Sequence, residues 1–352
     1  MLQFGRRGAL LLKLVVVRFV CFWTCLLSSI CARLFPRGGG SARLLAPSSV
    51  QLIGHRGASL EQPENTGAAF RRCFAHGVRA IELDVRRTSD GHVVVLHDET
   101  LRRTCSDLAA ARAAGVDVDA PVSRLPWARV RQVPVGCSAG GGGDDGSGSG
   151  TATAATAALR HPEYPMLLSA VLALLPDDGC ALVELKGRGD ARLVELVVQV
   201  AARYAGTAEL RFIAFDLAMA RGVKAGLLRR QRQVKVYHLG FVVPVVVPLA
   251  WQRRTLRAMV DAAAAAGLDG IDVNASPWGA VDAALVGYAH GRGMDVVTWV
   301  TPLFREDAFL FDALAAAGVD GYTSNVPPAL LAWDAVAREQ RGGGAAGRGR
   351  GA

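Results

Sequence analysis

The first 49 residues contain no aspartate or glutamate, and of the seven cysteines of the 352-residue chain the four outside the leader region nowhere fall at the spacing of a metal site. That spacing argues against a cysteine-ligated metal in the folded part, and Cys21, Cys25 and Cys31 lie in or beside the leader. Cys73, Cys105, Cys137 and Cys180 are scattered and define no disulfide framework, so they are read as unpaired, mostly buried thiols. A basic surface is also missing, although the formal net charge is +9. Seven basic residues (Arg6, Arg7, Lys13, Arg18, Arg33, Arg37, Arg43) lie in the acid-free leader, and three more (Arg341, Arg348, Arg350) sit in the Gly/Arg-rich tail. Setting those ten aside from the 40 leaves 30 basic residues against 31 acidic ones in the middle. Nucleic acid is therefore not an expected partner, because such a surface needs its cations clustered on the folded part.

Large apolar side chains are lacking from two stretches. Residues 138–158 are nearly all Gly, Ser, Ala and Thr, and the chain ends in a Gly/Ala/Arg run. Neither holds what a core needs, so both are expected to be unstructured. The resulting organisation is a leader over 1–49, one folded domain over 50–335 interrupted by 138–158, and a tail over 336–352.

The leader is the opposite case. Residues 9–35 are dominated by Leu, Val, Phe, Ile and Cys, long enough to cross a hydrocarbon core, which takes about 20 residues. With Lys13 snorkelling to the interface, residues 14–32 span with Arg18 near one end. This predicts a single-pass N-terminal anchor in an endomembrane or the plasma membrane. A cleaved secretory signal, for which Cys31-Ala32 is a poor cleavage site, and an Arg-rich organelle presequence are the competing readings. Basic residues on both flanks leave the orientation open.

Between the leader and the tail, short apolar runs alternate with helical patterns, as in β/α units. The runs are 51–54, 79–84, 92–97, 181–186, 210–215, 234–239, 270–273, 296–300 and 319–323. Nine runs are one too many for an eight-stranded barrel. The link from the second to the third, Val-Arg-Arg-Thr-Ser-Asp-Gly over 85–91, is too short for a parallel crossover and carries an Asp-Gly turn. These two should form an antiparallel hairpin that leaves the barrel, so that eight parallel strands close it. Helices are expected at 66–76, 193–204, 256–266, 281–290 and 306–317. The fold class is α/β, a (β/α)8 TIM barrel with a hairpin excursion after its second strand.

Polar residues collect where the runs end, and in such a barrel those ends converge on one mouth. The first run ends in His55-Arg56, the second in Glu82-Leu83-Asp84, the third in His97-Asp98 and the fourth in Glu184-Leu185-Lys186. Residues two apart on a strand point to the same side. Three carboxylates, Glu82, Asp84 and Glu184, make a hard oxygen site for one divalent cation, Mg²⁺ or Ca²⁺. Arg56 and Lys186 suit phosphate oxygens, and His55 and His97 supply an acid and a base. Singly, each has a bland reading as an ion pair or a solvated strand end. Their joint occurrence on consecutive strand ends points to phosphodiester cleavage, which needs all three functions. His76, His92, His161 and His290 fall in helices, turns or loops, whereas His238 ends the sixth run and is a candidate for the mouth.

The stretch His-Arg-Gly-Ala-Ser-Leu-Glu-Gln-Pro-Glu-Asn-Thr-Gly-Ala-Ala-Phe from His55 to Phe70 resembles the opening motif of the glycerophosphodiester phosphodiesterase family, and 81–104 resembles its second motif. Residues 164–174 and 183–187 are similar to the next two. The resemblance implies a distorted barrel with His55 and His97 as the acid/base pair. It also implies Glu82, Asp84 and Glu184 on the cation, and Arg56 and Lys186 on phosphate. The Pro63-Glu64-Asn65-Thr66 block is read as a helix cap, with Glu64 steadying the loop. Two departures lie late in the chain. Trp299-Val300-Thr301-Pro302 stands where the family usually has Trp-Thr-Val-Asn, and Ser324-Asn325 where it usually has Thr-Asp. Both are expected to affect the substrate wall, which Trp299, His238 and Phe215 are expected to line, more than the cleavage machinery.

The implied reaction, in lipid metabolism, is hydrolysis of a glycerophosphodiester to glycerol 3-phosphate and an alcohol. The apolar segment 239–251, Leu-Gly-Phe-Val-Val-Pro-Val-Val-Val-Pro-Leu-Ala-Trp, reads either as a buried connection or as an apolar lip for an acyl chain or a bilayer. The lip would make a lysophospholipid the substrate, in a lysophospholipase D-type reaction. A membrane-anchored, non-catalytic binding barrel is the third reading, and the complete set of seven polar residues argues against it.

Overall fold

The computed structural model describes residues 50–136, 162–242, 248–276, 279–301 and 306–346. The leader, the segment 138–158 and the end of the tail lie outside the described residues, as does the centre of the apolar segment, 243–247. Among the described residues no helix is long and apolar enough to cross a membrane.

Among the described residues ten strands form in chain order: β1 (Gln51–Gly54), β2 (Ala80–Arg87), β3 (Val93–Val95), β4 (Met166–Leu167), β5 (Cys180–Leu185), β6 (Glu209–Ala214), β7 (Lys235–Gly240), β8 (Gly270–Ala275), β9 (Asp295–Val300) and β10 (Gly321–Ser324). All but β3 and β4 pair in parallel, and β1 joins both β10 and β2, which closes an eight-stranded ring. The interior is filled by Ile53, Ala80, Cys180, Leu182, Ile213, Tyr237, Leu239 and Val297, with Trp299 packed against them. Alternate residues such as Leu83, Val183, Phe212, Val236 and Ile271 face the helices in a second, larger core. Strands buried on both faces read as unbroken apolar runs, which is why they are legible in the sequence.

The hairpin leaves the ring as expected, with β3 antiparallel to β2 and Val85 opposite Val95. It carries more than a turn. The short strand β4 adds to β3, and Val94, Leu96, Leu101, Val116, Val118, Val122, Val130 and Val133 build a separate small core around helices α2 (Leu108–Ala113) and α3 (Trp127–Val130).

Of the helices, α1 (Gly67–Ala75), α5 (Ala191–Arg203), α8 (Ala283–His290) and α9 (Ala308–Ala317) fall at expected places, while a short α4 (Leu168–Leu172) follows β4. An unexpected α6 (Leu217–Leu228) follows β6. Gly222 and Gly226 lower its intrinsic propensity, but they admit α5: a Cβ at Gly226 would lie 2.8 Å from Val198, and one at Gly222 3.0 Å from Val194. Helix α7 (Leu249–Ala265) begins inside the apolar segment, after Pro248, so Leu249, Ala250 and Trp251 are helical rather than loop. The last helix, Pro327–Ala346, runs into the segment 336–352 that composition assigns to an unstructured tail, because the Ala-, Leu- and Arg-rich sequence before Gly342 favours continuation.

Candidate active site

The chain turns sharply at the end of β1, with Arg56 at φ 54° and Gly57 at φ 82°. A left-handed non-glycine residue costs on the order of 1 kcal/mol or more, and here the turn aims the Arg56 N–H at Glu82 Oε2, 3.0 Å away. Gly57 is required, since a Cβ there would sit 2.7 Å from the Ala69 backbone. The Arg56 guanidinium then lies 3.2 Å from Asp84 Oδ2 and 3.1 Å from Glu64 Oε1.

The Pro-Glu-Asn-Thr block divides its labour. Thr66 caps α1 by accepting from Ala69 N, as a structural reading requires. Asn65, at φ 59°, turns inward instead: its Nδ2 donates to Asp84 Oδ2 at 2.8 Å, and its Oδ1 accepts from Asp84 N. Glu64 accepts from Arg56 and takes two hydrogen bonds from Arg103, at 2.7 and 2.8 Å. Arg103 also donates to both oxygens of Asp98, whose Oδ1 lies 2.7 Å from His97 Nδ1. The excursion and the barrel thus share one ionic network.

Glu82 and Asp84 on β2 and Glu184 on β5 are buried, and one oxygen from each lies within 4.8 Å of the others. The register explains the meeting, since Asp84 pairs directly with Glu184 across the two strands. Lys186 Nζ sits 3.0 Å from Asp84 Oδ1 and 2.6 Å from Glu184 Oε1. The three acids do not share their environment equally. Burial, then Asp84 and Glu184, pushes the Glu82 carboxyl well above its ordinary range. Burial also raises Glu184, against the opposing pull of Lys186. At Asp84 burial acts upward too, but Lys186 and Arg56 outweigh it and hold the carboxyl well below the usual range. Glu82 Oε1 accepts no hydrogen bond, and Asp84 Oδ1 and Glu184 Oε1 have only the Lys186 ammonium against them. Buried oxygens of this kind want a cation, and an all-oxygen donor set suits a hard one. The residues present fit a divalent ion.

His55 is the other group at the centre. Its Nδ1 lies 2.5 Å from Asn325 Oδ1 and its Nε2 lies 3.8 Å from Glu82 Oε2. Burial, and then the adjacent Arg56, holds the ring below its ordinary basicity. Of the wall candidates, Trp299 faces the ring interior, with its centroid 6.0 Å from that of Phe241. Phe215 follows β6 and is half-exposed. His238 alternates with Tyr237 and Leu239, which point into the barrel, so its ring faces outward toward the helix layer and does not line the interior.

The model of the glycerophosphoryl diester phosphodiesterase family matches residues 55–328. The chain belongs to this family. A glycerophosphodiester phosphodiesterase of Caldanaerobacter subterraneus is 58% identical over 53 residues, which cover 15% of this chain and 22% of that protein. Rat glycerophosphodiester phosphodiesterase 1 is 49% identical over 55 residues, 16% of this chain and 17% of the relative. The alignments thus span less than a quarter of the length of either relative. Solved structures cover much more. An Oleispira antarctica phosphodiesterase in complex with the product sn-glycerol-3-phosphate has a TM-score of 0.57 at 20% identity, over 81% of this chain and 96% of its own. The Thermotoga maritima glycerophosphodiester phosphodiesterase gives 0.54 at 19%, over 80% and 97%. At these identities the likeness establishes the barrel of the family.

Four residues of the network escape sequence reasoning. Asn65 is hidden in a capping motif, and Arg103 is one of several arginines after the third run. Glu306, which accepts from Asn325 N and Nδ2, meets it because β10 lies beside β9, and Asn325 reaches His55 only because β10 closes on β1. The Ser324-Asn325 departure, expected to affect the substrate wall, in fact touches the His55 ring.

Proposed function

We propose that this chain hydrolyses glycerophosphodiesters to glycerol 3-phosphate and an alcohol with the help of one divalent cation, Mg²⁺ or Ca²⁺. The observation that carries this reading is the meeting of three buried carboxylates beside His55, a lysine and an arginine, with His97 tied through Asp98 and Arg103 to the same ionic network. Glu82, Asp84 and Glu184 would hold the ion, whose contribution is to offset the charge that grows on the phosphoryl oxygens. Arg56 and Lys186 carry fixed positive charge to the same place and orient the phosphate. His55 and His97 exchange protons with the attacking and leaving oxygens. The test is release of glycerol 3-phosphate from glycerophosphocholine by the purified protein with Mg²⁺ or Ca²⁺, and its loss in Glu184→Gln. Stoichiometric binding without turnover would favour a non-catalytic binding barrel.

A second reading, lysophospholipase D-type cleavage of acylated substrates, is favoured by the exposure of Phe215, Phe241, Leu249 and Trp251 after β6 and β7. An N-terminal single-pass anchor would place the protein beside such substrates. Retention of the full chain in carbonate-washed membranes, and its release when residues 1–49 are removed, tests that placement.

A further inference from the structure

Glu306 lies just before α9 and is used by no step above. Its carboxylate accepts from four donors: Tyr322 Oη at 3.0 Å, Ser324 Oγ at 2.6 Å, Asn325 N at 3.0 Å and Asn325 Nδ2 at 2.7 Å. An ionised carboxylate can only accept. The Asn325 amide must therefore turn its NH₂ to Glu306 and its carbonyl oxygen to His55. That oxygen in turn can only accept, so the proton of the neutral His55 ring has to sit on Nδ1. The lone pair is left on Nε2, the nitrogen that faces Glu82.

We propose that Glu306 is a positioning residue that acts through Asn325 to fix the His55 tautomer, and so makes Nε2 the proton acceptor of the hydrolytic step. This rests on the hydrolase reading above. In that step the attacking oxygen bonds to phosphorus and its proton moves to Nε2. The P–O bond to the alcohol breaks with its electron pair, and the alcohol oxygen takes a proton from His97. The roles of the two histidines are then unequal. His55 is held by a neutral amide that dictates one tautomer, whereas His97 is held by a carboxylate, Asp98, that accepts a proton-bearing nitrogen in either charge state.

The inference is tested by long-range ¹H–¹⁵N correlation spectra of histidine-labelled protein at a pH where the ring is neutral, with His55 assigned by its disappearance in His55→Ala. The wild-type ring should show a protonated Nδ1 and a bare Nε2. In Glu306→Gln the constraint on the amide is gone; the Nε2-protonated form should appear, and kcat on glycerophosphocholine should fall by roughly 100-fold with KM little changed. The double variant Glu306→Gln/Asn325→Asp exchanges the two groups, so that an amide at position 306 donates to a carboxylate at position 325, which again accepts from Nδ1. That variant should recover the wild-type tautomer and most of kcat. An Nε2-protonated wild-type ring would overturn the proposal whether or not any variant folds. So would full turnover in Glu306→Gln, or a folded double variant no better than either single change. A wild-type protein with the expected tautomer but no hydrolysis would instead sink the function and leave the positioning intact.

Discussion

Arg103 and Glu64 are joined by two hydrogen bonds of 2.7 and 2.8 Å, although they sit on different parts of the fold, the excursion core and the first loop of the barrel. Burial acts to raise the Glu64 carboxyl, but its hydrogen bonds from Arg103 and the charge of Arg56 hold it below its ordinary range. Replacing Arg103 by Ala leaves Glu64 and Asp98 without their main partner. The expected loss is about 3 kcal/mol of stability, the low end of the scale for breaking a buried pair, together with a fall in kcat as His97 and Arg56 lose their supports. Lys, a point charge rather than a fork, should restore only part of either. Urea unfolding and steady-state rates of the two variants check this, and wild-type behaviour in Arg103→Ala would show the network to be ornamental.

Cation binding should be visible without any substrate. Chelator-treated protein given Mg²⁺ or Ca²⁺ at about 100 times the dissociation constant gains roughly 2.7 kcal/mol, which for a domain of this size moves the melting temperature by about 5–10 °C. Glu82→Gln and Glu184→Gln should lose most of that shift. A shift of equal size in all three proteins would place the ion elsewhere.

Asp272 gives a pH prediction of definite sign. It lies buried on β8 with Oδ1 unpartnered, and burial, then Glu184, pushes its carboxyl up to about 8. A folded value above the unfolded one means that the folded state binds the proton more tightly. Stability associated with this group is therefore fully present below the unfolded value near 4 and is lost progressively as pH rises toward 8. Asp272→Asn removes that loss. Its melting temperature, measured in chelator, should exceed wild type at pH 7.5 and match it near pH 4. An equal difference at both pH values would rule out the linkage.

Substrate length can be read from the aromatic pair Phe241 and Trp299. If they hold an acyl chain, Phe241→Ser should weaken hydrolysis of a long-chain lysophospholipid far more than that of glycerophosphocholine. Losing three or four buried CH₂ contacts at about 0.8 kcal/mol each corresponds to roughly 50- to 200-fold. Equal loss on both substrates would point to a damaged mouth.

What the sequence disclosed follows from the physics of each part. The ring was legible because strands buried on both faces spell unbroken apolar runs, and the acids on β2 and β5 were legible because alternation puts residues two apart on one side. The excursion core was not, since its valines and leucines are spaced through short turns with no period to detect. Helix α6 was masked by glycines whose purpose, close contact with α5, exists only in three dimensions. The pairing of His55 with Asn325, 270 residues away, depends on closure of the ring and has no local trace.

The packed interior of the ring has a consequence for traffic. Ile53, Leu182, Ile213, Tyr237 and Val297 plug the barrel beneath the acids, so whatever reaches the site enters and leaves on the same side. If the chain hydrolyses a phosphodiester as proposed, both products would depart through the entrance the next substrate uses, and the product that keeps the phosphate would retain the charge that Arg56 and Lys186 are proposed to hold. Glycerol 3-phosphate would then compete with substrate for one doorway, and its exit would be one of the steps that turnover has to wait for.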